Sequence, residues 1–159
     1  MKWFGSRLDA AWKALEANDL GGAEARALDV LQKEPANVSA LDCLGRVKAL
    51  KGEWDKAAFC YQKAVAENPD DGDLHRRMAE ARGMLGDLAG GVESLLHAAA
   101  HRPAAEQEQL WRTAHDWMPG DERPLAHLAR LYRSSGRAVE AADCERRLRA
   151  LDPFATVGD

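Results

Sequence analysis

Residues 38–68, VSALDCLGRVKALKGEWDKAAFCYQKAVAEN, read as two helices with a break between them. In the first, Leu41, Leu44 and Val47 recur at helical spacing and the run stops at Gly52; in the second, Ala57, Tyr61 and Ala64 do the same and the run stops at Pro69. Glycine suits a left-handed residue that closes the first helix, and proline prevents the second from continuing. Small residues at Gly45, Ala57 and Ala64 let the paired helices approach, while Leu44, Trp54 and Tyr61 fill the space around them. The unit is a helical hairpin whose apolar edge needs a neighbour.

That neighbour is supplied by repetition. Pro35, Pro69 and Pro103 are 34 residues apart, and so are Pro119 and Pro153. In phase with them, Ala23, Ala57 and Gly91 coincide, as do Asn18, Gly52 and Gly86, and Ala27, Tyr61 and Leu95. A fixed period with the same residue classes in phase signals stacked copies of one supersecondary unit. Asn18 tolerates the left-handed conformation that Gly52 adopts without penalty, which supports the alignment.

Composition agrees. Thirty of the 159 residues are alanine, none is isoleucine, and serine and threonine together number seven, so helix formers abound and strand formers are scarce. A compact fold of this length buries roughly 70% of the surface of its unfolded chain, enough for one short solenoid. The net charge of −4 comes from 22 basic and 26 acidic side chains spread along the chain, a solvated mixed surface without the field that gathers nucleic acid. No apolar run approaches the roughly 20 residues of a membrane helix, and the opening meets Asp9 before a signal-like apolar region forms. Cys43, Cys60 and Cys144 form no CxxC pair and fit reduced, packed thiols. A cytoplasmic protein is expected, and the alanine and arginine content leans towards a bacterial source.

The pattern resembles the tetratricopeptide repeat family. Leu41, Leu44-Gly45, Ala57, Tyr61 and Pro69 match its signature, with Lys48 where an aromatic is usual. The last copy runs through Leu125, Leu128-Ala129, Tyr132, Gly136, Ala141 and Pro153, with Glu145 where a large apolar residue is usual. The third offers Met78-Ala79, Gly86, Gly91, Leu95 and Pro103, and the first, Ala10-Ala11, Ala23, Ala27 and Pro35, is the most degenerate. The resemblance implies an all-α, right-handed solenoid of helical hairpins with about nine helices, one of them unpaired. The expected division of a single domain over 1–159 is repeats at 4–37, 38–71, 72–105 and 122–155 with an extra helix at 104–117. Because Pro103 and Pro119 are 16 residues apart, that helix has no partner of its own. Either it takes the place of a first helix and shifts the roles of those that follow, or it is a wedge before a true hairpin of 121–134 and 138–151. Tyr132, Gly136, Ala141 and Pro153 favour the second.

The same resemblance implies a binding scaffold or adaptor. In the family, first helices line a concave groove that receives a peptide or a partner helix, which here points to Trp12, Asp42, Arg46, Arg76, Arg77 and Glu80, flanked by Leu8, Asp9, Glu16, Ser39, Cys43, Leu50, Asp73 and Met84. Guanidinium groups engage carboxylates bidentately, so Arg46, Arg76 and Arg77 suggest an acidic segment or a free C-terminus as the ligand; solvation or pairing with Asp42 or Glu80 is the plainer role for them. The carboxylate clamp of some family members is not reproduced, since Leu8 and Trp12 stand where its first cation and amide belong. If the last hairpin is in phase, Arg123, His127, Arg130 and Arg133 add strong positive charge.

Trp3, Phe4, Trp111 and Trp117 lie where the repeat pattern fails, to close the core or to form an association patch. His97 and His101 are four apart, yet no HExxH glutamate, cysteine or third histidine accompanies them, so no metal is expected. No GxSxG, phosphate-binding loop or GxGxxG occurs, and neither a catalytic residue nor a cofactor is expected. Two alternatives stand beside the adaptor: a docking or regulatory module of a larger enzyme, and a scaffold that self-assembles into a homo-oligomer through its ends.

Overall fold

The computed structural model of the protein describes residues 2–100 and 102–153, the first five of these by backbone alone. Among the described residues there are nine α-helices and no strand: α1 Lys2–Glu16, α2 Leu20–Lys33, α3 Val38–Leu50, α4 Trp54–Glu67, α5 Gly72–Met84, α6 Leu88–Ala99, α7 Ala104–Trp117, α8 Glu122–Ser134 and α9 Ala138–Leu151. They fall into two compact units, residues 1–87 and 88–159.

Two kinds of turn alternate. Asn18, Gly52, Gly86 and Gly136 close α1, α3, α5 and α8 with φ of 59°, 73°, 79° and 74°. Glycine reaches this region freely and asparagine more readily than other side chains. The helices α2, α4 and α7 end instead on Glu34, Asn68 and Met118, with φ between −130° and −137° and ψ between 77° and 81°. Each is followed by a short side chain, Asn37, Asp71 or Asp121, which accepts a backbone N–H at the start of the next helix. The ending of α7 thus matches those of α2 and α4, and α8 and α9 form a hairpin closed like α3 and α4.

In the first unit the hairpins α1–α2 and α3–α4 pack side by side, with α5 against α4. Ala11, Ala23, Ala27, Cys43, Leu44, Val47 and Cys60 form one cluster, and Ala57, Tyr61, Met78 and Ala81 another. Alanine on both faces of a contact brings helices close, and this sets the place of Gly45. A Cβ there would lie 2.5 Å from Tyr61 Cε1, so the aromatic ring of α4 fits only against a bare backbone on α3.

In the second unit α6 packs on α7, α7 on α8 and α8 on α9. Its core holds Trp111, Leu125, Leu128, Ala129, Tyr132, Ala141, Cys144 and Leu148. Trp111 is 7% exposed and closes this core, one of the two roles expected for it; Trp117 is half-buried. The side chains of Trp3 and Phe4, and His101, lie outside the described residues. All three cysteines are free and buried.

Candidate peptide-binding face

The residues expected to bind peptide project from α1, α3 and α5, all in the first unit. Residues one repeat apart share a position, so Trp12, Arg46 and Glu80 form one row, Asp42 and Arg76 a second, and Leu50 and Met84 a third. The structure joins several of them directly. The Trp12 indole N–H donates to Ser39 Oγ at 3.0 Å, which fixes the ring, and the Arg46 guanidinium lies over that ring, 5.2 Å from its centroid. Next along α3, Asp42 pairs with Arg77, whose Nη1 donates to Oδ2 at 3.2 Å and lies 3.1 Å from the buried Oδ1.

Burial therefore raises the Asp42 carboxyl above its ordinary value, against the lowering effect of Arg77 and Arg46. Burial also pushes the neighbouring Cys43 thiol up to about 11, with Asp42 adding to the shift, and raises the Tyr61 hydroxyl. These are poor nucleophiles at neutral pH.

The six expected residues are thus not equivalent. Arg46 is exposed and backed by an aromatic ring; Arg77 is committed to Asp42. Arg76 is exposed, with Asp73 3.9 Å away on its own helix, and Glu80 is exposed. Beside them Leu50 and Met84 are 63% and 60% exposed, an apolar ledge next to the arginines.

In the second unit the expected positive charge is largely neutralised. Arg123 donates to Asp121 and to Glu93, and Arg133 to Glu145. Glu145, where the repeat pattern expects a large apolar residue, thus holds a charge partner for Arg133. His127 stacks on Trp111 with ring centroids 4.8 Å apart, and burial, followed by Arg130 and Arg123, lowers its pKa. His97 lies 3.4 Å from Glu93, and no group of three His, Cys, Asp or Glu that could hold a metal occurs among the described residues.

One cluster escaped the sequence reading. The Tyr132 hydroxyl donates to Glu108 at 3.0 Å and accepts from Arg112, while Arg137 lies over its ring and donates to Glu108 at 2.7 Å. Nothing in the period announces it, because its members come from α7, α8 and the turn before α9.

Residues 38–71 match the family model of the tetratricopeptide repeat. MamA, a solved structure, superposes with a TM-score of 0.60 at 17% identity, covering 94% of this chain and 92% of MamA. YrrB, described as a TPR protein with an unusual peptide-binding site, gives a TM-score of 0.57 at 15% identity, covering 95% of this chain and 87% of YrrB. Residues 38–71 are thus a tetratricopeptide repeat, and the chain as a whole shares the fold of proteins built from such repeats. Proteins of these repeats generally serve protein–protein interaction and are generally non-catalytic. A mutant of Thermobaculum terrenum O-GlcNAc transferase is 26% identical with a TM-score of 0.65, over 82% of the repeat protein and 26% of the transferase. Cellulose synthase operon protein C of Pseudomonas fluorescens (strain SBW25) is 26% identical over 137 residues, 86% of the repeat protein. The repeat protein spans 10% of that relative's length. Among its described residues no helix is long and apolar enough to cross a membrane.

Proposed function

We propose that this protein is a docking scaffold whose first helices hold a protein segment with a carboxylate beside an apolar side chain. The observation that carries the reading is the exposed Arg46 guanidinium, supported from behind by the Trp12 ring that Ser39 holds in place. A cation with one face on an aromatic ring keeps its N–H edges free for a carboxylate and loses less freedom on binding. Arg76 supplies a second cation, and Leu50 and Met84 the apolar ledge. Asp42 and Arg77 act as the frame of the face, tying α3 to α5, and a ligand is expected to meet them last. The ligand class is an acidic segment or a free C-terminus, in a cytoplasmic setting and without nucleic acid or cofactor; the four-repeat division with helix 104–117 inserted belongs to the same proposal.

The small fractions of the transferase and the operon protein that the chain covers favour one further reading, in which it is a docking or regulatory module of a larger enzyme. The two readings share the same face and differ in whether the partner lies on the same polypeptide.

The test is affinity capture from native extract with mass spectrometry, comparing the unaltered chain with an Arg46→Glu, Arg76→Glu variant of equal helicity. Partners lost from the variant support the arginine face and name the ligand. An identical partner set from both would remove those arginines from the binding account. Arg77→Glu is unsuitable here, since it would set a second carboxylate against buried Asp42.

A further inference from the structure

The helix α3 carries a second lining on another side. Leu41, Leu44 and Lys48 are turned away from the row of Ser39, Asp42 and Arg46 by the helical spacing, and they floor an open groove of about 610 Å³ between α2 and α4. Leu31 and Pro35 of the α2 side and Phe59 and Lys63 of α4 form its walls. The groove is apolar where water reaches it. Phe59 is 58% exposed, and Leu28, one turn before Leu31 on the same helix face, is 42% exposed.

The second unit contains the same groove in the same place, between α7 and α9 over α8. There His115 stands where α2 has Leu31, Asp143 where α4 has Phe59, and Arg147 where α4 has Lys63. Its charges are used internally: Arg146 donates to Asp143, and Arg147 contacts His115 Nε2. The architecture therefore does not require an exposed phenylalanine at this position, and the first unit has one for another reason.

Charge indicates what covers it. Three lysines and one aspartate line the groove. Lys48 is bound by Glu24 and Glu53, and Lys56 by Glu53, whereas Lys63 has no carboxylate partner among the described residues and rests its ammonium 4.7 Å from the Phe59 ring centroid. We propose that this groove docks an acidic amphipathic helix of a partner protein, with a large apolar side chain seated against Phe59 and Leu31 and a carboxylate meeting Lys63. The surface is separate from the arginine face and does not depend on the reading given for it.

The test uses the full chain and two labelled, end-blocked helical peptides of roughly 14 residues, both with leucine in an i, i+3, i+4, i+7 stripe, one with glutamate and the other with lysine on the flanks. Fluorescence anisotropy is expected to show the glutamate peptide binding at least about tenfold more tightly than the lysine peptide. Phe59→Ala weakens it about tenfold, Lys63→Glu removes the preference between the two peptides, and Arg46→Glu, Arg76→Glu changes neither. Phe59 and Lys63 are both exposed, so unchanged helicity verifies that the variants fold. No binding, equal binding of the two peptides, or binding lost in the arginine variant yet kept in Phe59→Ala would each overturn the proposal. A fall in the sedimenting mass of the free chain on Phe59→Ala would also overturn it, by giving the groove to a second copy of the chain.

Discussion

At the scale of single residues, glycine has two separate duties in this protein. Gly45 is required by space: a methyl group there meets the Tyr61 ring at 2.5 Å, and a ring buried to 2% exposure cannot swing aside. Gly45→Ala is expected to destabilise the protein by about 1–3 kcal/mol, read from the urea midpoint followed by circular dichroism. Gly52 is required by conformation, with φ of 73° and nothing within 4 Å of a built Cβ. Gly52→Ala should cost about 1–2 kcal/mol and Gly52→Asn clearly less, because asparagine already adopts φ of 59° at the equivalent Asn18. Equal costs for the two substitutions would show that something other than backbone strain sets the preference. The period of 34 made Gly52 legible in the sequence. Gly45 was legible as a small residue, but the ring it faces belongs to another helix.

At the scale of elements, caps and cross-links decide how helices start and how α7 is held. Asn37 accepts the Ala40 N–H at 2.9 Å, and Asn37→Ala is expected to cost about 1 kcal/mol, measured by the same urea titration; an unchanged midpoint would mean water replaces the cap without loss. The helix α7 is joined to the α8–α9 hairpin by the Glu108, Tyr132 and Arg137 contacts and to the end of α6 by Gln107, whose amide donates to the Ala99 carbonyl at 3.1 Å. Removing the hydroxyl in Tyr132→Phe leaves the Arg137–Glu108 pair in place and should cost about 1 kcal/mol. Amide hydrogen exchange should locate that loss, with α7 losing protection and α3 unaffected. Uniform loss across both units would deny the hydroxyl its local role. The break in spacing after Pro103 pointed to a helix over 104–117, and α7 spans Ala104–Trp117. The likeness of its ending to those of α2 and α4 came from the Met118 turn, whose dihedral angles match those of Glu34 and Asn68 and have no mark in a list of prolines.

For the molecule as a whole, the two units should respond differently to acid. His115 is buried, with Arg147 against its Nε2, and His127 is half-buried beside Arg130 and Arg123; desolvation first and the arginines second lower both pKa values below the ordinary 6.5. The neutral form is therefore the one the fold prefers. Stability from these groups is fully present above the unfolded value near 6.5 and is lost as pH falls through the lower folded values. Residues 88–159 are expected to lose exchange protection between pH 7.5 and pH 5, and His115→Gln, His127→Gln should flatten that loss. The same slope in the double variant would place the acid sensitivity elsewhere. Asp42 in the first unit has the opposite sign, because its raised pKa makes ionisation unfavourable in the fold; its contribution is greatest below its unfolded value near 3.8 and is lost as pH rises through the folded one.

The sequence by itself determined the helical class, the repeat at 38–71 and the turns at Asn18, Gly52, Gly86 and Gly136, because each follows from local preferences and from residues in phase along one chain. The tertiary structure decided which side chains of that pattern are occupied and which are free. It spent Arg77 on Asp42 and Arg123 on Asp121 and Glu93, left Arg46 open over Trp12, and set Phe59 in a groove where its counterpart position holds Asp143. Such pairings depend on distances between helices far apart in sequence, and a repeat period specifies the position of a side chain without specifying its neighbour.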